Sequence, residues 1–433
     1  MTALFGLARR NWLISNPSEV PKSAKPLRFG ILSAADITPS ALIVPAKTHP
    51  EVLVQVVASR DPNRAKAFAQ KHGIPEVATT YQDILDNPNI DCVYIPLPNS
   101  LHLKWALRAL EAGKHVLLEK PSVGNAAEAR ALFRSPHLAS AGPHRTPPVI
   151  LEAAHFLFHP AWTAFMSCVS PADVVSARAV LWVPRWRLAA DDIRYGYELA
   201  GGALMDLGFY TATALMRVFG AVAEKCVECD TEPGLLDARC DRAFRARYRF
   251  PGGGERFGEM EGDLKAPLDR LSPDVHVVHR PVIVSDGLDA DISAEVERAG
   301  GRDKVEVFRT RKVKFTTFVQ PAYMHSVEVD DEYEMRRVRT APAVVLRTWK
   351  RSRTSKAYTF RDAGVEQPGE SYWATYRYQL EQFVNRVRGR ETKQWFDGED
   401  SINTLRMIDM AYAAARLPLR MSEMDKKKVE RKS

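Results

Sequence analysis

Short apolar runs alternate with longer amphipathic segments along residues 29–120. The apolar runs, typical of buried parallel strands, are 29–32, 52–58, 92–95 and 115–119. The amphipathic segments predict helices at 38–47, 64–72, 81–86 and 101–112. Asp61 and Pro62 suit the start of the second helix, and Gly73 suits its end. This alternation predicts an α/β fold with a doubly wound parallel sheet and right-handed crossovers.

The pattern changes after a proline-rich stretch at 135–148. A strand is predicted at 149–158, and helices are predicted from Pro160 and at 203–219. Strand-like pieces follow at 243–250, 276–284 and 304–318, before helices at 373–387 and 402–415. This mixture predicts an α+β domain with a large, open, mostly antiparallel sheet. The chain therefore divides into a basic arm (1–28), an α/β domain (29–148), an α+β domain (149–420) and a basic tail (421–433).

The positive charge is concentrated at the two ends. Of the net charge of +8 on 433 residues, 1–28 contribute +4 and 420–433 contribute +3, which leaves +1 for 29–419. Lysine-rich ends are more often solvated tails than binding arms. No nucleic-acid partner is expected, because the body is nearly neutral and carries no recognition motif, although Arg and Lys crowd 334–353. No apolar run approaches the roughly 20 residues of a membrane span, so no membrane partner is expected.

The five cysteines do not form a recognisable metal motif. Cys226 and Cys229 are spaced like one half of a zinc site, but no second pair follows at the usual spacing. No other spacing of His, Asp or Glu marks a metal site, and no metal is expected. An odd number of cysteines in a chain of this size favours a reducing compartment, and the predicted localisation is cytoplasmic.

The turn after the first strand suits a nucleotide pyrophosphate. Such turns bring backbone N–H groups and a helix N-terminus close to the phosphates. Gly30 lies in the strand, and the turn holds Ser33, Ala34 and Ala35, which are small residues where glycines are usual. Asp36 lies in the same turn and is expected to point away from a phosphate.

The end of the second strand indicates which dinucleotide binds. NAD-binding proteins usually carry Asp or Glu there for the ribose 2′-hydroxyl. This chain has Ser59 and Arg60, with Arg64 one helical turn further on. A hydroxyl and a guanidinium suit a 2′-phosphate, which Arg can bind through two hydrogen bonds. NADP is therefore predicted in preference to NAD; the alternative is an ordinary solvent-facing arginine.

Several ordered motifs together point to one family. They are Phe-Gly-Ile-Leu at 29–32, Ser-Arg-Asp at 59–61, Tyr-Ile-Pro-Leu-Pro-Asn-Ser-Leu-His at 94–102, Ala-Gly-Lys-His-Val at 112–116, Leu-Glu-Lys-Pro at 118–121, Gly-Gly-Ala-Leu-Met-Asp-Leu-Gly-Phe-Tyr at 201–210 and Gly-Glu-Asp-Ser at 398–401. In this the chain resembles the glucose-fructose oxidoreductase, inositol dehydrogenase and rhizopine-catabolism (Gfo/Idh/MocA) family. It looks most like the fungal type of the branch that holds dimeric dihydrodiol dehydrogenases and NADP-dependent D-xylose dehydrogenases.

The resemblance implies a Rossmann NADP-binding domain at 29–148. It also implies a substrate-binding domain at 149–420 and a homodimer in which two copies associate through the sheet of that domain. The cofactor-binding residues expected from the turn, the second strand and the resemblance are Gly30, Ser33, Ala34, Ala35, Ser59, Arg60, Arg64, Pro96, Leu97, Asn99, His102, Glu119 and Lys120. His102 has an equal alternative, which is to pack as part of the first turn of its helix.

The catalytic residues expected are Lys120, Asp206 and Tyr210. Oxidising an alcohol requires a group that takes the hydroxyl proton as hydride leaves, and Lys or Tyr of lowered pKa can do so. Lys120 ends a parallel strand, where ligands bind in such sheets, and its bond to Pro121 is a candidate cis peptide. Asp206 and Tyr210 are four residues apart and so share one face of a helix.

By resemblance, Asp206 and Tyr210 line the substrate pocket. Tyr210 is assigned as proton acceptor, with its pKa lowered by Lys120, and Asp206 as the residue that orients a sugar hydroxyl. The roles of Lys120 and Tyr210 could be exchanged. On the predicted strand at 149–158, Glu152 faces away from His155 and His159, and His155 is the better substrate-binding candidate.

These observations lead to an NADP-dependent oxidoreductase acting on a small-molecule sugar or cyclic vicinal diol. In the D-xylose form of this hypothesis, the enzyme oxidises C1 of the cyclic aldose to a lactone. In the dihydrodiol form, it oxidises a trans-diol to a catechol. The alternatives are a non-catalytic NADP-binding regulator of the same family and a specialised biosynthetic oxidoreductase. The sequence of 251–350 differs most from what the branch leads us to expect. Because this region normally walls the substrate pocket, the identity of the substrate is the least determined part of the hypothesis.

Overall fold

The structure, a computed structural model, describes residues 2–139, 147–234, 236–267, 273–284, 288–338 and 344–422. Part of the proline-rich stretch (140–146) and almost all of the predicted basic tail (423–433) lie outside the described residues. The predictions for those segments are therefore not addressed by the structure.

A six-stranded parallel sheet forms the N-terminal part and confirms the predicted doubly wound fold. Its strands are β1 (Leu27–Leu32), β2 (Val52–Ala58), β3 (Glu76–Val77), β4 (Cys92–Ile95), β5 (His115–Leu118) and β6 (Ile150–Glu152), in the order β3-β2-β1-β4-β5-β6. Every neighbouring pair is parallel. The order reverses direction between β1 and β4, which is where such sheets bind ligands at their carboxyl ends.

The helices that accompany this sheet are α1 (Thr2–Ser15), α2 (Val44–Lys47, preceded by a π-helical turn at Pro39–Ile43), α3 (Pro62–His72), α4 (Tyr81–Asp86), α5 (Asn99–Glu111) and α6 (Ala126–Phe133). Their ends follow from local chemistry. Asp61 caps α3 by accepting from the N–H groups of Asn63 and Arg64, and Gly73 ends it in the left-handed region.

Gly30 is required by packing inside β1 and does not lie in the turn. A Cβ at this position would overlap the Cγ2 atom of Ile84 in α4. Glycine therefore lets α4 approach the sheet closely. This packing role accounts for the residue without a ligand, so its assignment to cofactor binding stays a prediction.

The C-terminal part is built on a large mixed, mostly antiparallel sheet, as predicted. Its strands are β7 (Val174–Pro184), β8 (Lys225–Pro233), β9 (Asp241–Arg249), β10 (Phe257–Ala266), β11 (Asp274–His279), β12 (Val282–Ile283), β13 (Val305–Thr316), β14 (Val327–Arg337) and β15 (Val345–Ser355). They run in the order β15-β14-β13-β11-β7-β10-β9-β8, with β12 beside β13. Among the described strands of this sheet, only β7 and β10 pair in parallel.

The remaining helices are α7 (Pro160–Met166), α8 (Ala203–Asp206), α9 (Gly208–Phe219), α10 (Ala290–Arg298), α11 (Thr375–Val387) and α12 (Gly398–Ala414). Helix α9 lies in the core against β7 and β10, and every one of its residues except Arg217 is buried. Arg217 reaches Asp400 at 2.5 Å, which joins α9 to the first turn of α12. A buried apolar helix of this kind fixes the position of the residues at its N-terminal end.

Two sequence predictions about elements were wrong. The strand predicted at 149–158 ends at Glu152, and His155–Phe158 form a 3₁₀ turn. An apolar run of this length has the same hydrophobicity pattern in a buried turn as in a strand. The helix predicted at 203–219 is broken at Leu207 into α8 and α9.

The basic residues of 334–353 lie in strands with an acidic neighbour. Strand β14 pairs with basic strands on both sides, so Asp331 contacts Arg311 at 2.7 Å and Arg353 at 3.3 Å. Asp330 contacts Lys350 at 3.2 Å. Much of this local positive charge is thus matched within the sheet.

Within the described residues, no single helix is both long and apolar enough to cross a membrane. Tyr197–Asp206 and Gly208–Phe219 reach that length and composition only as a pair bent by 43°.

Candidate active site

Lys120 extends from the end of β5 toward the C-terminal part of the chain. The bond between Lys120 and Pro121 is cis. The ammonium of Lys120 donates to the carboxylate of Asp206 and, at 3.2 Å, to its backbone carbonyl. The Lys120 side chain is 11% exposed and that of Asp206 is 17% exposed, so the pair is mostly shielded from water. The structure therefore brings these two predicted residues together.

Asp206 is held from its other side by Arg194, which the sequence reasoning did not find. The Nε of Arg194 donates to Oδ2 of Asp206 at 2.9 Å, and its Nη1 lies 2.9 Å from Asp192. Burial by itself raises the pKa of Asp206, but the charges of Lys120 and Arg194 outweigh it and lower the pKa below its usual value. Asp206 is therefore a carboxylate shared by two cations.

Tyr210 lies on the first turn of α9, beside Lys120. The Lys120 Nζ is 4.7 Å from the centre of the Tyr210 ring, a cation–π contact. The Tyr210 hydroxyl is hydrogen-bonded to Nε2 of His155 at 2.9 Å. Asp206 is the last residue of α8 and Tyr210 lies in α9, so the two residues are not on one continuous helix, although both contact Lys120.

The expectation that Lys120 lowers the pKa of Tyr210 was wrong. Burial raises the pKa of Tyr210 well above 10, and the negative charges of Glu119 and Asp206 raise it further. The ammonium of Lys120 lies over the ring and is matched by the carboxylate of Asp206. The Tyr210 hydroxyl is thus protonated at neutral pH.

His155 links Tyr210 to α11. Its Nδ1 lies 2.8 Å from the hydroxyl of Thr375, and its ring is 4.0 Å from the ring of Tyr376. Burial, and then the charge of Lys120, lower the pKa of His155 to about 3, so the imidazole is neutral. Thr375 and Tyr376 are two further site residues, and no local motif in the sequence marks them.

The neighbours of His155 have structural contacts. Glu152 accepts from the N–H of Ser122 at 2.5 Å, and burial raises its pKa to about 7. His159 caps α7 by accepting from the N–H of Ala161 at 3.1 Å. Because 155–158 is a turn, the argument from alternating strand faces does not apply to these residues.

The predicted pyrophosphate turn is partly closed by Arg64. Its Nε donates to the carbonyl of Ala34 at 3.1 Å, and its guanidinium lies 3.6 Å from Asp36. The side chain of Asp36 is fully exposed. Ser33 has a φ of 127°, outside the usual range for a residue with a side chain. Ala35, two residues further on, is half-buried.

The two side chains that follow β2 are at least partly exposed. Ser59 is half-buried and Arg60 is exposed. Within the described part of the chain, the guanidinium of Arg60 has no ion pair. Arg60 is therefore better placed than Arg64 to meet an added anion.

The loop after β4 is tied to other parts of the site. The Nδ2 of Asn99 donates to the carbonyl of Ala200 at 2.9 Å, and Pro96 is buried. His102 is fully buried between the carbonyls of Leu97 and Pro121, at 2.7 and 2.9 Å. Of its two predicted roles, the structure shows the packing role.

Glu119 faces the protein interior. It accepts from the hydroxyl of Tyr94 at 2.7 Å and from the N–H of Lys120 at 3.3 Å. Burial raises the pKa of Glu119. These contacts show Glu119 supporting the backbone beneath Lys120; cofactor contact by this residue stays a prediction.

No metal centre accompanies the cluster. In the part of the chain that the structure describes, no three His, Cys, Asp or Glu side chains are grouped to hold an ion.

Comparison with known proteins decides the family. The family model described as "Oxidoreductase family, NAD-binding Rossmann fold" (GFO_IDH_MocA) matches residues 27–137. A dTDP-3,4-didehydro-2,6-dideoxy-alpha-D-glucose 3-reductase from Streptomyces violaceoruber is 36% identical over 286 residues, which are 60% of this chain and 78% of that one. The chain belongs to the Gfo/Idh/MocA family of oxidoreductases.

Other relatives in the family match over shorter regions. A D-xylose 1-dehydrogenase (NADP(+)) from Haloferax volcanii is 36% identical over 45% of this chain and 58% of its own length. A trans-1,2-dihydrobenzene-1,2-diol dehydrogenase from Mus musculus is 30% identical over 52% of this chain and 66% of its own. The match thus spans less than two thirds of either dehydrogenase.

Solved structures show the same fold over most of the chain. KijD10, a 3-ketoreductase from Actinomadura kijaniata in complex with NADP and TDP-benzene, has a TM-score of 0.60 at 21% identity. The match covers 90% of this chain and 98% of KijD10. This likeness supports the assignment of the family fold to both sheets.

A buried arginine near the C-terminus holds the backbone that carries Asp206. Arg420 donates to the carbonyl of Gly201 at 2.7 Å and to Asp241 at 2.8 Å, and both side chains of this pair are fully buried. Asp241 in turn accepts from the N–H of Leu204 in α8 at 2.5 Å. Arg420 was counted with the solvated basic end of the chain, and that interpretation was wrong for this residue.

Arg420 and Asp241 form a clamp on the backbone before α8, and Gly202 shows how closely the clamp surrounds the chain. It has a φ of 130°, and a Cβ there would overlap Asp241 and come within 2.8 Å of Tyr412 and Arg420. A glycine is therefore needed where the loop enters α8. The clamp fixes the start of the short helix whose last residue is Asp206.

We expect Arg420→Met to lower the free energy of unfolding by about 3–5 kcal/mol, because it leaves Asp241 as a buried, unpaired charge. Denaturant unfolding followed by tryptophan fluorescence measures the change. The double variant with Asp241→Asn should recover part of the loss, since neither charge then remains. Arg406→Met on the exposed side of α12 is the control and should change stability by less than about 0.5 kcal/mol. Equal effects of Arg420→Met and Arg406→Met would contradict the clamp.

Proposed function

We propose that the protein is an NADP-dependent oxidoreductase acting on a ring that carries adjacent hydroxyl or keto groups, either a sugar or a cyclic vicinal diol. The observation that carries this proposal is the cluster of Lys120, Asp206 and Tyr210 at the end of β5. The Lys120 ammonium pairs with the Asp206 carboxylate there and lies over the Tyr210 ring, at a site mostly shielded from water. The names of the relatives, a D-xylose dehydrogenase, a dihydrobenzenediol dehydrogenase and a sugar reductase, support the substrate class.

The residues of the N-terminal sheet fit NADP. The exposed guanidinium of Arg60 at the end of β2 can bind the 2′-phosphate, with Ser59 beside it. The start of α3 adds the positive end of a helix dipole. When bound, NADP supplies the hydride acceptor or, as NADPH, the donor.

The cluster controls proton transfer at the substrate oxygen. Lys120 orients this oxygen and stabilises negative charge on it, and Asp206 holds Lys120 in place while orienting a neighbouring hydroxyl. Because the raised pKa of Tyr210 keeps its hydroxyl protonated, Tyr210 is best suited to give a proton to a substrate oxygen, as in reduction of a ketone. In the oxidising direction the reverse step needs the Tyr210 phenolate, which takes the proton of the substrate hydroxyl and becomes the phenol again. His155 fixes the direction of the Tyr210 hydroxyl through its hydrogen bond.

We expect Lys120→Met and Tyr210→Phe each to lower kcat/KM by about 10²–10⁴-fold, the usual contribution of a positioned acid or base. The assay is NADP reduction or NADPH oxidation over a panel of pentoses, hexoses, trans-dihydrodiols and the corresponding ketones. Lys393→Met and Tyr333→Phe, which lie outside the cluster, serve as controls. Undiminished turnover in both cluster variants would contradict the assigned mechanism. Absence of turnover in the unaltered protein over the whole panel would contradict the proposed substrate class.

We expect Arg60→Ala to raise the KM for NADP by at least about tenfold, with little change for NAD, because NAD lacks the 2′-phosphate. Steady-state kinetics with both cofactors measures the ratio. Lys66→Ala, which removes an exposed cation of α3, is the matched control. Equal changes for the two cofactors would show that Arg60 does not bind the 2′-phosphate.

The prediction of a homodimer through the large sheet stays a proposal. It is supported by the extended, partly exposed faces of β8 and β15.

A further inference from the structure

A cavity of about 520 Å³ lies beneath the N-terminal helix α1, next to the catalytic cluster. Its walls are the end of the arm at 13–17, the helical segment at 37–48, and the start of α11 with the residues just before it, together with Arg187, Gln320 and Tyr323. Its volume is in the range of small-molecule pockets.

The arm is fixed to both halves of the molecule. Arg10 donates to the carbonyl of Tyr323 at 2.7 Å, and its guanidinium lies 3.6 Å from the centre of the Tyr358 ring. Further along the arm, Lys22 donates to the carbonyl of Ala46 at 2.7 Å. The basic arm, expected to be solvated, is therefore a built wall of this cavity.

The lining has a defined chemistry. Four aromatic side chains, those of Tyr323, Tyr372, Trp373 and Tyr376, face the cavity together with aliphatic residues such as Leu13. Among the described residues that line it, none carries a carboxylate. Two cations are: Arg377, whose charge is matched by Glu381 at 2.8 Å, and Arg187.

Arg187 is the cation available to a ligand. It is exposed, and among the described residues nothing pairs with its side chain. The indole N–H of Trp373 is buried and also has no acceptor within the described residues. An occupant with a flat apolar ring and an anionic group would therefore find aromatic side chains and an unpaired cation.

Tyr376 connects this cavity to the catalytic cluster. It lines the cavity and lies with its ring 4.0 Å from that of His155, which is bonded to Tyr210. None of the residues predicted to bind the cofactor lines the cavity. The cavity therefore lies beside the reacting position and adjoins the predicted pyrophosphate turn through Ile37, without being lined by the predicted cofactor-binding residues.

We propose that this cavity binds the non-reacting part of the substrate, an aromatic ring that carries a carboxylate or phosphate. Arg187 binds the anionic group, and Leu13 in the arm limits the size of the ring. That the bound molecule is a substrate rests on the proposed oxidoreductase function. The binding of an aryl anion, however, is measurable without turnover. The arm thereby becomes a specificity-determining part of the enzyme.

The test is isothermal titration calorimetry of the full chain with NADP present. The probes are benzoate and phenyl phosphate, with benzyl alcohol as the analogue without charge and acetate as the analogue without a ring. We expect saturable binding of at least one aryl anion, at least about tenfold tighter than either control compound. Absence of saturable aryl-anion binding, or equal binding of acetate, would overturn the proposal.

Two variants locate the binding. Arg187→Ala should weaken aryl-anion binding by about tenfold or more, and Leu13→Trp should weaken it by filling the cavity. Arg185→Ala removes a nearby exposed cation that does not line the cavity and is the matched control. Unchanged binding in both Arg187→Ala and Leu13→Trp would overturn the site even if the aryl anion binds elsewhere.

The turnover panel separates this proposal from the proposed function. Two results together support both proposals: aryl anions bind in the cavity, and hydroxy or keto rings that bear an aryl anion turn over with higher kcat/KM than unsubstituted rings. If aryl anions bind here but no compound in the panel is oxidised or reduced, the cavity stands as a binding site and the proposed reaction fails. If simple sugars turn over but no aryl anion binds, the cavity proposal alone fails.

Discussion

The candidate site depends on one buried carboxylate that two cations share. Asp206 is too shielded to be ionised alone, because transfer of a charge from water into a protein interior is costly. Lys120 and Arg194 lower its pKa and so keep it charged. The same interaction fixes the ammonium of Lys120 above the ring of Tyr210. An ion pair between the end of β5 and the end of α8 thus joins the two sheets at the place where the chemistry is proposed.

The rest of the molecule supports this contact from outside. Arg420 and Asp241 hold the backbone on which α8 begins, and Asn99 donates to the carbonyl of Ala200 just before it. On the opposite side, His155 connects the Tyr210 hydroxyl to α11, and the N-terminal arm closes the adjoining cavity. Buried polar networks of this kind carry a large penalty when one partner is lost, so they define a single arrangement of the site.

Features with a local signal could be predicted from the sequence. The strands of the first sheet, the caps at Asp61 and Gly73 and the position of Lys120 at a strand end all follow from residues close in the chain. Contacts between distant segments could not: Thr375 meets His155 across 220 residues, and Arg194 has no motif. The burial of Arg420 was missed because composition describes a charged end only on average. The sign of the Tyr210 pKa shift was missed because it depends on burial and on the charge that already neutralises Lys120.

The most direct test of the account is a double-mutant cycle on kcat/KM with Lys120→Met, Asp206→Asn and the double variant. If Asp206 acts by holding Lys120, the double variant should lose no more than about threefold beyond the more damaging single change, because residues that act as a unit are not additive. If the two losses multiply, Asp206 and Lys120 act independently, and the shared carboxylate is not the interaction on which the site depends.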